Sequence, residues 1–554
     1  MSEIPSTASD GRPTRLPVFF WISLILFGLI PVGRSLQYET DHQMANIVGS
    51  ALAFFGCLSA YIGLWIYLRN WAAKWTLLVF VPLALLSVAV STLQFVGFTG
   101  EIIPVFRLRA WATKATLEAD PVAIEPYSVK DPSLNAFAST QFLGSDRNGI
   151  VTNQEFAVDW DHQLPTLLWK IPIGAGWSSF AVSQGLAITL EQIDDQESVT
   201  ALELTTGKRV WRLTTPGRHS QVMGGLGPRS TPTIQGNRVI AQSAMGIVSC
   251  IELQTGKLLW QQDLLKLAGI DKETSEKAIL WGRSGSPLIF DNQVVVPYGG
   301  KTGDSSLRSL IAFDLDSGRE LWSAGDQQIA YSSPVLLTLC GIRQIVNINE
   351  GSASGYSADN GQVLWSAPWP SNSNGDACSS QAVAVDDRHI LLGKGYALGS
   401  KMIELNYSGT SPYDSSVASL WKAETVWANT KILKTKFTSA IAFNGSLYGL
   451  SDGVLECIDP KDGSRLWRGK RYGQGQAIIV NQHILITTED GRVALVPATV
   501  AGKGTPIAEM PVLEGITWNV PAVAGPYLLV RNAEFAACLI SKKDSEQDAR
   551  PISQ

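Results

Sequence analysis

A strand–turn–strand unit ending in tryptophan recurs along most of this chain and constrains its fold more than any other feature. In each copy a Gly follows Thr, Asp, Ser or Asn at the turn, where it adopts a positive φ angle at little steric cost. Apolar and polar residues alternate on both sides of the turn, as expected of a half-buried β-hairpin. The clear copies are ALELTTGKRVW ending at Trp211, CIELQTGKLLW at Trp260, IAFDLDSGRELW at Trp322, GYSADNGQVLW at Trp365 and CIDPKDGSRLW at Trp467. Degenerate copies reach Trp421, after the insertion NYSGTSPYDSSV, and Glu509.

A second element opens each repeat: a short stretch with small or polar residues that leads into an apolar strand. A Gly, Asn or Asp turn and another apolar strand follow it. The starts recur about every 37 to 59 residues, which is the length of one four-stranded propeller blade. The openings are SSFAV at 178, STPTI at 230, GSPLI at 285, SSPVL at 332, SSQAV at 379, TSAIA at 438, GQAII at 475 and NVPAV at 519.

The ends of the repeat region predict how the ring closes. The last unit, NVPAVAGPYLLVRNAEFAACLI, holds three strands, and a spare strand, LPTLLWKI with Trp169, precedes the first opening. If this strand (165–171) completes the last blade, no free sheet edge remains. The pattern predicts an all-β propeller of eight four-stranded antiparallel blades. Seven is the alternative count if the weak unit at 475–509 is not a blade. One Trp per blade is interpreted as packing between neighbouring blades.

Apolar segments fill most of the first hundred residues. Residues 44–68 and 75–100 are free of charge and long enough to cross a bilayer, and residues 16–32 are near the lower limit of about 17 residues. Arg12 and Arg15 precede the first segment as in a signal peptide, but no small-x-small cleavage site follows it. We therefore expect three uncleaved transmembrane α-helices. Because these spans contain no ionisable residue, a membrane anchor is favoured over a channel or transporter.

These patterns divide the chain into five parts. They are a short N-terminal tail (1–15), a three-helix membrane anchor (16–100), a linker (101–138), the propeller (139–541) and a disordered C-terminal tail (542–554). Lys and Arg residues on the two sides of the spans balance, so the positive-inside rule does not decide the orientation. The charges nearest the span ends, Arg15, Arg69 and Lys74, favour a cytoplasmic N-terminus. This arrangement places the propeller in the periplasm of a Gram-negative bacterium, beside the inner membrane.

Composition and motifs exclude several functional classes. A net charge of −5 argues against nucleic-acid binding. The six Cys form no CxxC, CxxCH or vicinal pair, so we interpret them as small apolar residues in strands rather than as metal, haem or disulfide sites. The sequence contains no HExxH, P-loop or GxSxG motif. No catalytic or metal-binding residue is assigned.

The repeat AxxLxTGxxxW resembles the blade motif of pyrroloquinoline-quinone (PQQ)-type β-propellers. That superfamily includes quinoprotein dehydrogenases and the lipoprotein of the outer-membrane barrel-assembly machine. A closer resemblance, to the PQQ-binding-like repeat proteins of planctomycete-type bacteria, is carried by FLGSDRNGIV (142–151), WGRSGSPLIFDNQVVVPYGG (281–300) and YSSPVLLTLCGIRQIV (331–346). It covers about three quarters of the chain and implies the propeller fold. Function stays open because this fold carries many activities.

The repeat alignment places a set of residues around the central axis. Loops that open the blades should gather at one end of the channel, where one position per blade faces the axis. The candidates for a binding site are Trp177, Arg229, Tyr331, Phe437 and Trp518, with Arg283 and Glu350 as nearby charges. Four aromatics and an Arg can stack on a planar or sugar-like ligand. The favoured interpretation is that they fill the channel by packing together.

Three functional hypotheses follow from these observations. The leading prediction is a non-catalytic propeller without a cofactor, held in the bilayer by three helices, that binds a protein or cell-envelope component. The alternative implied by the resemblance is a membrane-bound, PQQ-dependent quinoprotein oxidoreductase acting on an alcohol or sugar, with PQQ and Ca²⁺ bound. The sequence shows no vicinal Cys pair, no haem motif and no assignable Ca²⁺ ligand set for this alternative. A sensor that relays binding through the spans is a third hypothesis.

Overall fold

In the computed structural model the chain divides into two compact units, Met1–Lys114 and Ala115–Gln554. The structure describes residues 18–38, 42–67, 71–108, 126–153, 155–409 and 417–542. The predicted tail 1–15, and all of the predicted tail 542–554 except its first residue, lie outside these ranges.

The first unit contains three apolar helices. Their bounds are Val18–Tyr38 (α1), His42–Tyr67 (α2) and Trp71–Thr92 (α3). The first two pack together: Ser59 Oγ donates to the Phe19 carbonyl at 2.7 Å, and a Cβ at Gly56 would lie 3.1 Å from the Phe27 ring. Among the described residues, two helical stretches are long and apolar enough to cross a membrane, Gln43–Tyr67 and Trp71–Thr92. Helix α1 adds a shorter apolar stretch, Val18–Val32.

The third helix ends earlier than the apolar sequence predicts. The span expected at 75–100 is helical only to Thr92, and the strand Leu93–Phe98 then pairs with Pro104–Leu108 in an antiparallel hairpin. The Phe95 ring lies 5.7 Å from the Phe106 ring across this hairpin. Aromatic side chains favour the pleated surface of a strand pair. An apolar run by itself does not separate the end of a helix from such a hairpin.

The second unit is a ring of eight four-stranded antiparallel sheets, which confirms the predicted propeller fold. Each blade begins with its inner strand, next to the central channel, and ends with its outer strand. The weak unit at 475–509 is a complete blade, so the count is eight rather than seven.

The strands of the first four blades, from inner to outer, follow in chain order. Blade 1 has Ala181–Ser183, Leu186–Ile193, Gln196–Glu203 and Arg209–Pro216. Blade 2 has Thr233–Gln235, Arg238–Gln242, Ile247–Glu252 and Leu258–Asp263. Blade 3 has Leu288–Phe290, Gln293–Pro297, Leu310–Asp314 and Glu320–Ala324. Blade 4 has Val335–Leu339, Ile342–Ile348, Ser352–Ser357 and Val363–Pro368.

The last four blades repeat the plan. Blade 5 has Val383–Ala384, His389–Lys394, Gly399–Tyr407 and Trp421–Asn429. Blade 6 has Ile441–Phe443, Ser446–Ser451, Val454–Ile458 and Arg465–Arg471. Blade 7 has Gln476–Val480, His483–Thr487, Arg492–Pro497 and Ala508–Pro511. Blade 8 has Ala522–Ala524, Tyr527–Arg531 and Phe535–Ile540, completed by Thr166–Pro172.

This last strand closes the ring as predicted. Thr166–Pro172 pairs antiparallel with Phe535–Ile540, and Trp169 stands opposite Cys538. The two ends of the propeller sequence therefore share one sheet, which leaves no open seam in the ring.

The signature tryptophans pack on the neighbouring blade. Trp211 of blade 1 donates its Nε1 hydrogen to the Leu253 carbonyl of blade 2 at 2.7 Å, and its ring lies against Gly256, the turn glycine of blade 2. The other pairs of this kind are Trp169–Gly207, Trp260–Gly318, Trp322–Gly361, Trp427–Gly463 and Trp467–Gly504. The interpretation of these residues as inter-blade packing is confirmed.

One repeat assignment is wrong. The sequence places the signature residue of blade 5 at Trp421, but the ring that lies against the next blade's glycine belongs to Trp427. Trp421 instead contacts Tyr407 at 4.9 Å and packs with residues of blade 4. The insertion at this turn lengthens both strands of the hairpin, so Met402 pairs with Trp427 and Tyr407 with Trp421.

Candidate functional site

Loops that lead into the inner strands gather at one end of the channel, which we call the mouth. Three of the predicted residues meet there. The Trp518 ring lies 4.7 Å from the Trp177 ring and 5.1 Å from the Phe437 ring, measured between centroids. These residues precede blades 8, 1 and 6, so the Phe437 contact passes over the opening of blade 7. The three rings form an aromatic cluster that is partly exposed.

Polar groups hold this aromatic cluster in place. Trp518 donates its Nε1 hydrogen to Glu489 Oε1 at 2.9 Å, and Glu489 Oε2 accepts from the Gln474 backbone N–H at 3.0 Å. Trp177 donates its Nε1 hydrogen to the Gly224 carbonyl at 2.7 Å. The sequence gives no signal for Glu489, because it lies in a loop between the second and third strands of blade 7 rather than in a blade opening. Both indole N–H groups are therefore used inside the protein, and the partly exposed rings offer apolar contact surface.

Arg229 and Tyr331 form a second group beside the cluster. Arg229 donates to the carbonyls of Gly224 at 2.5 Å and Gly227 at 3.2 Å. The Tyr331 hydroxyl donates to the Ser373 carbonyl at 2.5 Å, and its ring meets Trp281 edge-on at 5.3 Å. Burial lowers the pKa of Arg229 to about 10 and raises the pKa of Tyr331. Both groups keep their ordinary protonation at neutral pH, so neither is prepared to act as an acid or base.

The two predicted charges take part in internal contacts. Arg283 is fully buried and donates to Ser275 Oγ at 2.7 Å and to the Tyr298 carbonyl at 3.0 Å. It thereby fastens the short helix Lys272–Ala278 to blade 3. Glu350 Oε1 accepts the Ser373 backbone N–H at 2.6 Å. The structure does not bring either residue into the aromatic cluster, because spacing in sequence locates a loop but not the direction of its side chains.

A small hairpin at the mouth was missed by the sequence interpretation. Residues Ser220–Gln221 pair with Gly225–Leu226, so the turn between them stands next to Trp177 and Arg229. A Cβ at position 224 would lie 2.6 Å from Arg229 Nη2, so only glycine allows this approach. At its tip, Val222 is 71% exposed and Met223 is 43% exposed. The adjacent glycines of QVMGGLG are the sequence signal that marks this turn.

The channel also holds part of the chain that precedes blade 1. We call residues 139–151 the plug. Ser139 bridges to Val182 of blade 1, the Thr140 carbonyl accepts from the Ile234 N–H of blade 2, and Ile150–Val151 pairs in parallel with Ile479–Val480 of blade 7. These contacts place the plug on the channel side of the inner strands of blades 1, 2 and 7.

Further contacts join the plug to blades 3, 5 and 6. Arg147 donates to the carbonyls of Ser286 and Pro287, which precede the inner strand of blade 3. Gln381, before the inner strand of blade 5, donates its side-chain N–H to the Arg147 carbonyl. Gly149 lies against Ile441 of blade 6. The motif FLGSDRNGIV, which contributed to the family resemblance, therefore occupies the channel.

The residues at the mouth do not fit a bound PQQ with Ca²⁺. A Ca²⁺ site needs several free carboxylate or amide oxygens. Glu350 and Glu489 each already accept backbone or indole N–H groups. Among the residues that the structure describes, no group of three or more His, Cys, Asp and Glu is suited to a metal ion. Aromatic rings in mutual contact also occupy the mouth, where the fold would place a planar cofactor.

The closed blades, the inter-blade tryptophans and the turn glycines define the chain as a propeller of the PQQ type. A family model described as "Outer membrane protein assembly factor BamB" matches residues 143–275 and 195–469. The two matches together span more than half of the chain, which therefore belongs to this family.

Individual relatives are distant. The outer membrane protein assembly factor BamB of Moranella endobia is 26% identical over 202 residues, which are 36% of this chain and 46% of that protein. The chain thus spans about half the length of this relative. The protein of the same name from Bordetella pertussis is 21% identical over 341 residues, 60% of this chain and 77% of that protein.

Solved structures match the chain at low identity. BamB from Moraxella catarrhalis matches with a TM-score of 0.47 and 13% identity, over 68% of this chain and 100% of that structure. The quinohemoprotein alcohol dehydrogenase ADHIIG from Pseudomonas putida HK5 matches with a TM-score of 0.48 and 12% identity, over 77% and 84% of the two chains.

Proposed function

We propose that this chain is a non-catalytic, membrane-tethered propeller whose mouth binds a protein or another component of the cell envelope. The aromatic cluster of Trp177, Phe437 and Trp518 carries this proposal, together with the exposed Val222 and Met223 beside it. Partly exposed aromatic and methionine side chains are enriched at protein interfaces. The mouth offers contact surface, whereas the groups that chemistry would require are engaged in internal hydrogen bonds.

The family supports a partner of this kind. Both similar curated proteins are named as assembly factors for outer membrane proteins. A protein with this role needs a surface that contacts other proteins, and the mouth offers such a surface. The partner of the present chain is proposed only as a protein or envelope component.

Site-specific cross-linking in intact cells tests the mouth. A photo-activatable amino acid at position 222 should give a discrete adduct with one envelope component. The same amino acid at position 461, on an exposed turn between the third and outer strands of blade 6, is the control and should give none. Equal adducts at both positions, or none at either, would contradict a specific surface at the mouth.

We further propose that three helices span the inner membrane and that the propeller lies in the periplasm. Two stretches have the required length and apolar character, and Val18–Val32 supplies the third, shorter one. An odd number of spans puts the N-terminus and the propeller on opposite sides. Alkaline phosphatase fused after residue 542 should be active, because that enzyme matures only outside the cytoplasm. An inactive fusion, with an active cytoplasmic reporter at the same point, would reverse the orientation.

The oxidoreductase alternative has its own direct test. Purified full-length protein is mixed with PQQ and Ca²⁺, and the absorption spectrum and dye-linked oxidation of alcohols and sugars are followed. We expect neither a bound-quinone spectrum nor turnover, because the mouth does not supply the required oxygen ligands. Tight cofactor binding with turnover would replace the proposed function.

A further inference from the structure

A β-hairpin follows the last apolar helix, and one of its two faces is apolar throughout. We call residues 93–108 the boundary hairpin. Three directly opposed pairs place six side chains on this face: Leu93 with Leu108, Phe95 with Phe106 and Phe98 with Pro104. The Phe95 ring contacts the other two rings edge-on, at 5.1 Å from Phe98 and 5.7 Å from Phe106. Phe95 is 45% exposed, Phe106 55% and Leu108 39%, so much of this face is uncovered in the described part of the chain.

The opposite face of the boundary hairpin is mixed in character. Gln94 stands opposite Arg107, and Gly97 stands opposite Val105. The hairpin is therefore amphipathic, although it has only two strands. A two-stranded hairpin is marginally stable in water by itself, and a continuous exposed apolar face marks a contact surface. We therefore expect the apolar face to be covered in the working protein.

The boundary hairpin connects the end of α3 with the start of α2. Its first strand directly follows α3. At the turn, Gln43 Nε2 of α2 donates to the Gly100 carbonyl at 2.6 Å. Asn46 Nδ2, one helical turn further along α2, donates to the Glu101 carbonyl at 3.0 Å. Consecutive helices that span a bilayer cross it in opposite directions, so both attachment points belong to the same membrane surface. A hairpin held at both points lies along this surface.

We propose that the boundary hairpin lies in the interface of the bilayer, with its apolar face at the boundary between phospholipid headgroups and acyl chains. This location rests on the three spans proposed above, which put the hairpin on the same side of the membrane as the propeller. Lipid is the expected cover because the surface of α3, whose apolar window has no buried residue, continues directly into the hairpin. Aromatic side chains favour this zone of the bilayer. The hairpin thereby fixes the level at which the linker to the propeller leaves the membrane.

Fluorescence quenching in reconstituted vesicles tests this location. The full-length protein is prepared with a fluorescent amino acid, excited beyond the tryptophan band, at position 106 on the apolar face, at 94 on the opposite face or at 84 in α3, all of which are exposed. The vesicles contain phosphatidylethanolamine and phosphatidylglycerol with a nitroxide either near the headgroup or deep in the acyl chains, and iodide is the quencher in water. Position 106 should be quenched about twofold more by the shallow nitroxide than by the deep one, because an interfacial apolar face enters the bilayer by about 5–10 Å. Position 94 should be quenched mainly by iodide.

Position 84 reports separately on the spans and should be quenched most by the deep nitroxide. If it is, while position 106 is quenched mainly by iodide or is shielded by protein from every quencher, the hairpin is not interfacial although α3 spans the membrane. If position 84 is quenched by iodide instead, the spans fail and the proposed location of the hairpin fails with them.

Variants assign the effect to the apolar face. With the fluorescent amino acid at position 108, Phe95→Ser combined with Phe106→Ser should abolish the preference for the shallow nitroxide, because two aromatic anchors are lost. Gln94→Ser combined with Val105→Ser changes the opposite face and is the matched control, which should keep the preference. Phe95→Trp combined with Phe106→Trp retains two aromatic rings and should also keep it. A preference that persists after the serine changes at Phe95 and Phe106, or that the tryptophan changes remove, would overturn the proposal.

Discussion

At the scale of single residues, Trp211 and Gly256 show how the repeat joins one blade to the next. Gly256 has a φ angle of +71°, and a Cβ at this position would lie 2.7 Å from the Trp211 ring. The glycine is therefore required for two reasons: the turn needs a left-handed backbone, and the neighbouring indole needs the space. The same two requirements explain why Gly and Trp recur together in the sequence.

Replacing Gly256 by Ala should destabilise the propeller more than the backbone angle alone accounts for. Gly341→Ala is the matched control, because Gly341 has a φ angle of +75° and nothing within 4 Å of its added Cβ. We expect a loss of about 1–2 kcal/mol for the control and about 1–3 kcal/mol more for Gly256→Ala from the clash with Trp211. Urea unfolding followed by tryptophan fluorescence measures both. Equal losses in the free energy of unfolding would mean that the added methyl group does not clash with the Trp211 indole.

Glu197 should make stability depend on pH. Burial raises its pKa to about 7 from an ordinary value of 4.5, and its Oε2 accepts the Ala244 N–H at 3.0 Å. Between these two pH values the folded chain keeps a proton that the unfolded chain has lost. Stability therefore falls as pH rises through this window and stays lower above it.

Glu197→Gln tests this dependence, because glutamine keeps an oxygen for the Ala244 N–H and cannot ionise. Its stability relative to the native chain should be nearly unchanged at pH 4 and higher by about 1–3 kcal/mol at pH 8. Denaturant unfolding across this range is the measurement. A difference that does not vary with pH would show that Glu197 is not a proton-binding group.

The interpretation of the cysteines as small apolar residues in strands is correct for three of the six, whereas Cys57 lies in a helix, Cys340 in a turn and Cys378 in a loop. Cys250, Cys457 and Cys538 each pair across the strands with a signature tryptophan. The corresponding residues of other blades are Ala201, Ala312, Gly355 and Met402. Composition indicates small apolar residues, but only the register shows that they face the bulky indole.

At the scale of elements, the insertion of blade 5 covers the outer strand of blade 4. Leu364 in that strand is 1% exposed, whereas the equivalent Leu259, Leu321 and Leu466 are 36%, 37% and 39% exposed. Trp421, which follows the 3-10 helix Val417–Leu420, belongs to the same apolar cluster as Leu364. The insertion therefore buries an apolar side chain of this edge that stays partly exposed in blades 2, 3 and 6.

Trp421→Ala should uncover this edge. Hydrogen exchange in Val363–Pro368 should rise, because the apolar cover over that strand is lost. Trp427→Ala is the comparison: it removes the ring packed against Gly463, so exchange should rise at the turn of blade 6 instead. Mass spectrometry of peptic fragments separates the two patterns. The same pattern from both variants would mean that the two tryptophans are not separate contacts.

The boundaries of the elements show what an apolar sequence pattern cannot predict. Turn glycines located the hairpins of the clear repeats in the sequence. Each of them takes a positive φ angle at a constant distance before the next strand. The stretch 93–98 was expected to continue a helix, and the contact of Phe95 with Phe106 made it a strand instead. The partner strand Pro104–Leu108 follows after a short loop, but an apolar run does not show whether the chain continues as a helix or turns back to pair.

At the scale of the whole molecule, the ring is held from outside by its closing strand and from inside by the plug. The closing strand joins the two ends of the propeller sequence in blade 8. The plug reaches inner strands or their leading loops in blades 1, 2, 3, 5, 6 and 7. It thus connects blades that share no direct sheet contact.

Two shortened chains separate these contributions. A chain that starts at residue 115 keeps the plug, whereas a chain that starts at residue 161 loses it but retains Thr166–Pro172. We expect the first to unfold in one cooperative transition and the second to unfold at a lower temperature, because six blades lose an inner contact and the buried Phe156 and Trp160 are also removed. Calorimetry with size-exclusion chromatography measures both. Identical transitions would show that the plug contributes nothing to the ring.

By itself, the sequence determined the propeller, its eight blades and its closing strand, because period-two alternation and turn glycines act locally and repeat. Tertiary structure alone decided three further points: the plug fills the channel, Phe437 reaches Trp518 across blade 7, and Trp427 replaces Trp421 as the inter-blade contact. Each of these depends on residues far apart in the chain that the ring brings together. These contacts form only when the closed ring brings the residues together, so no local pattern predicts them.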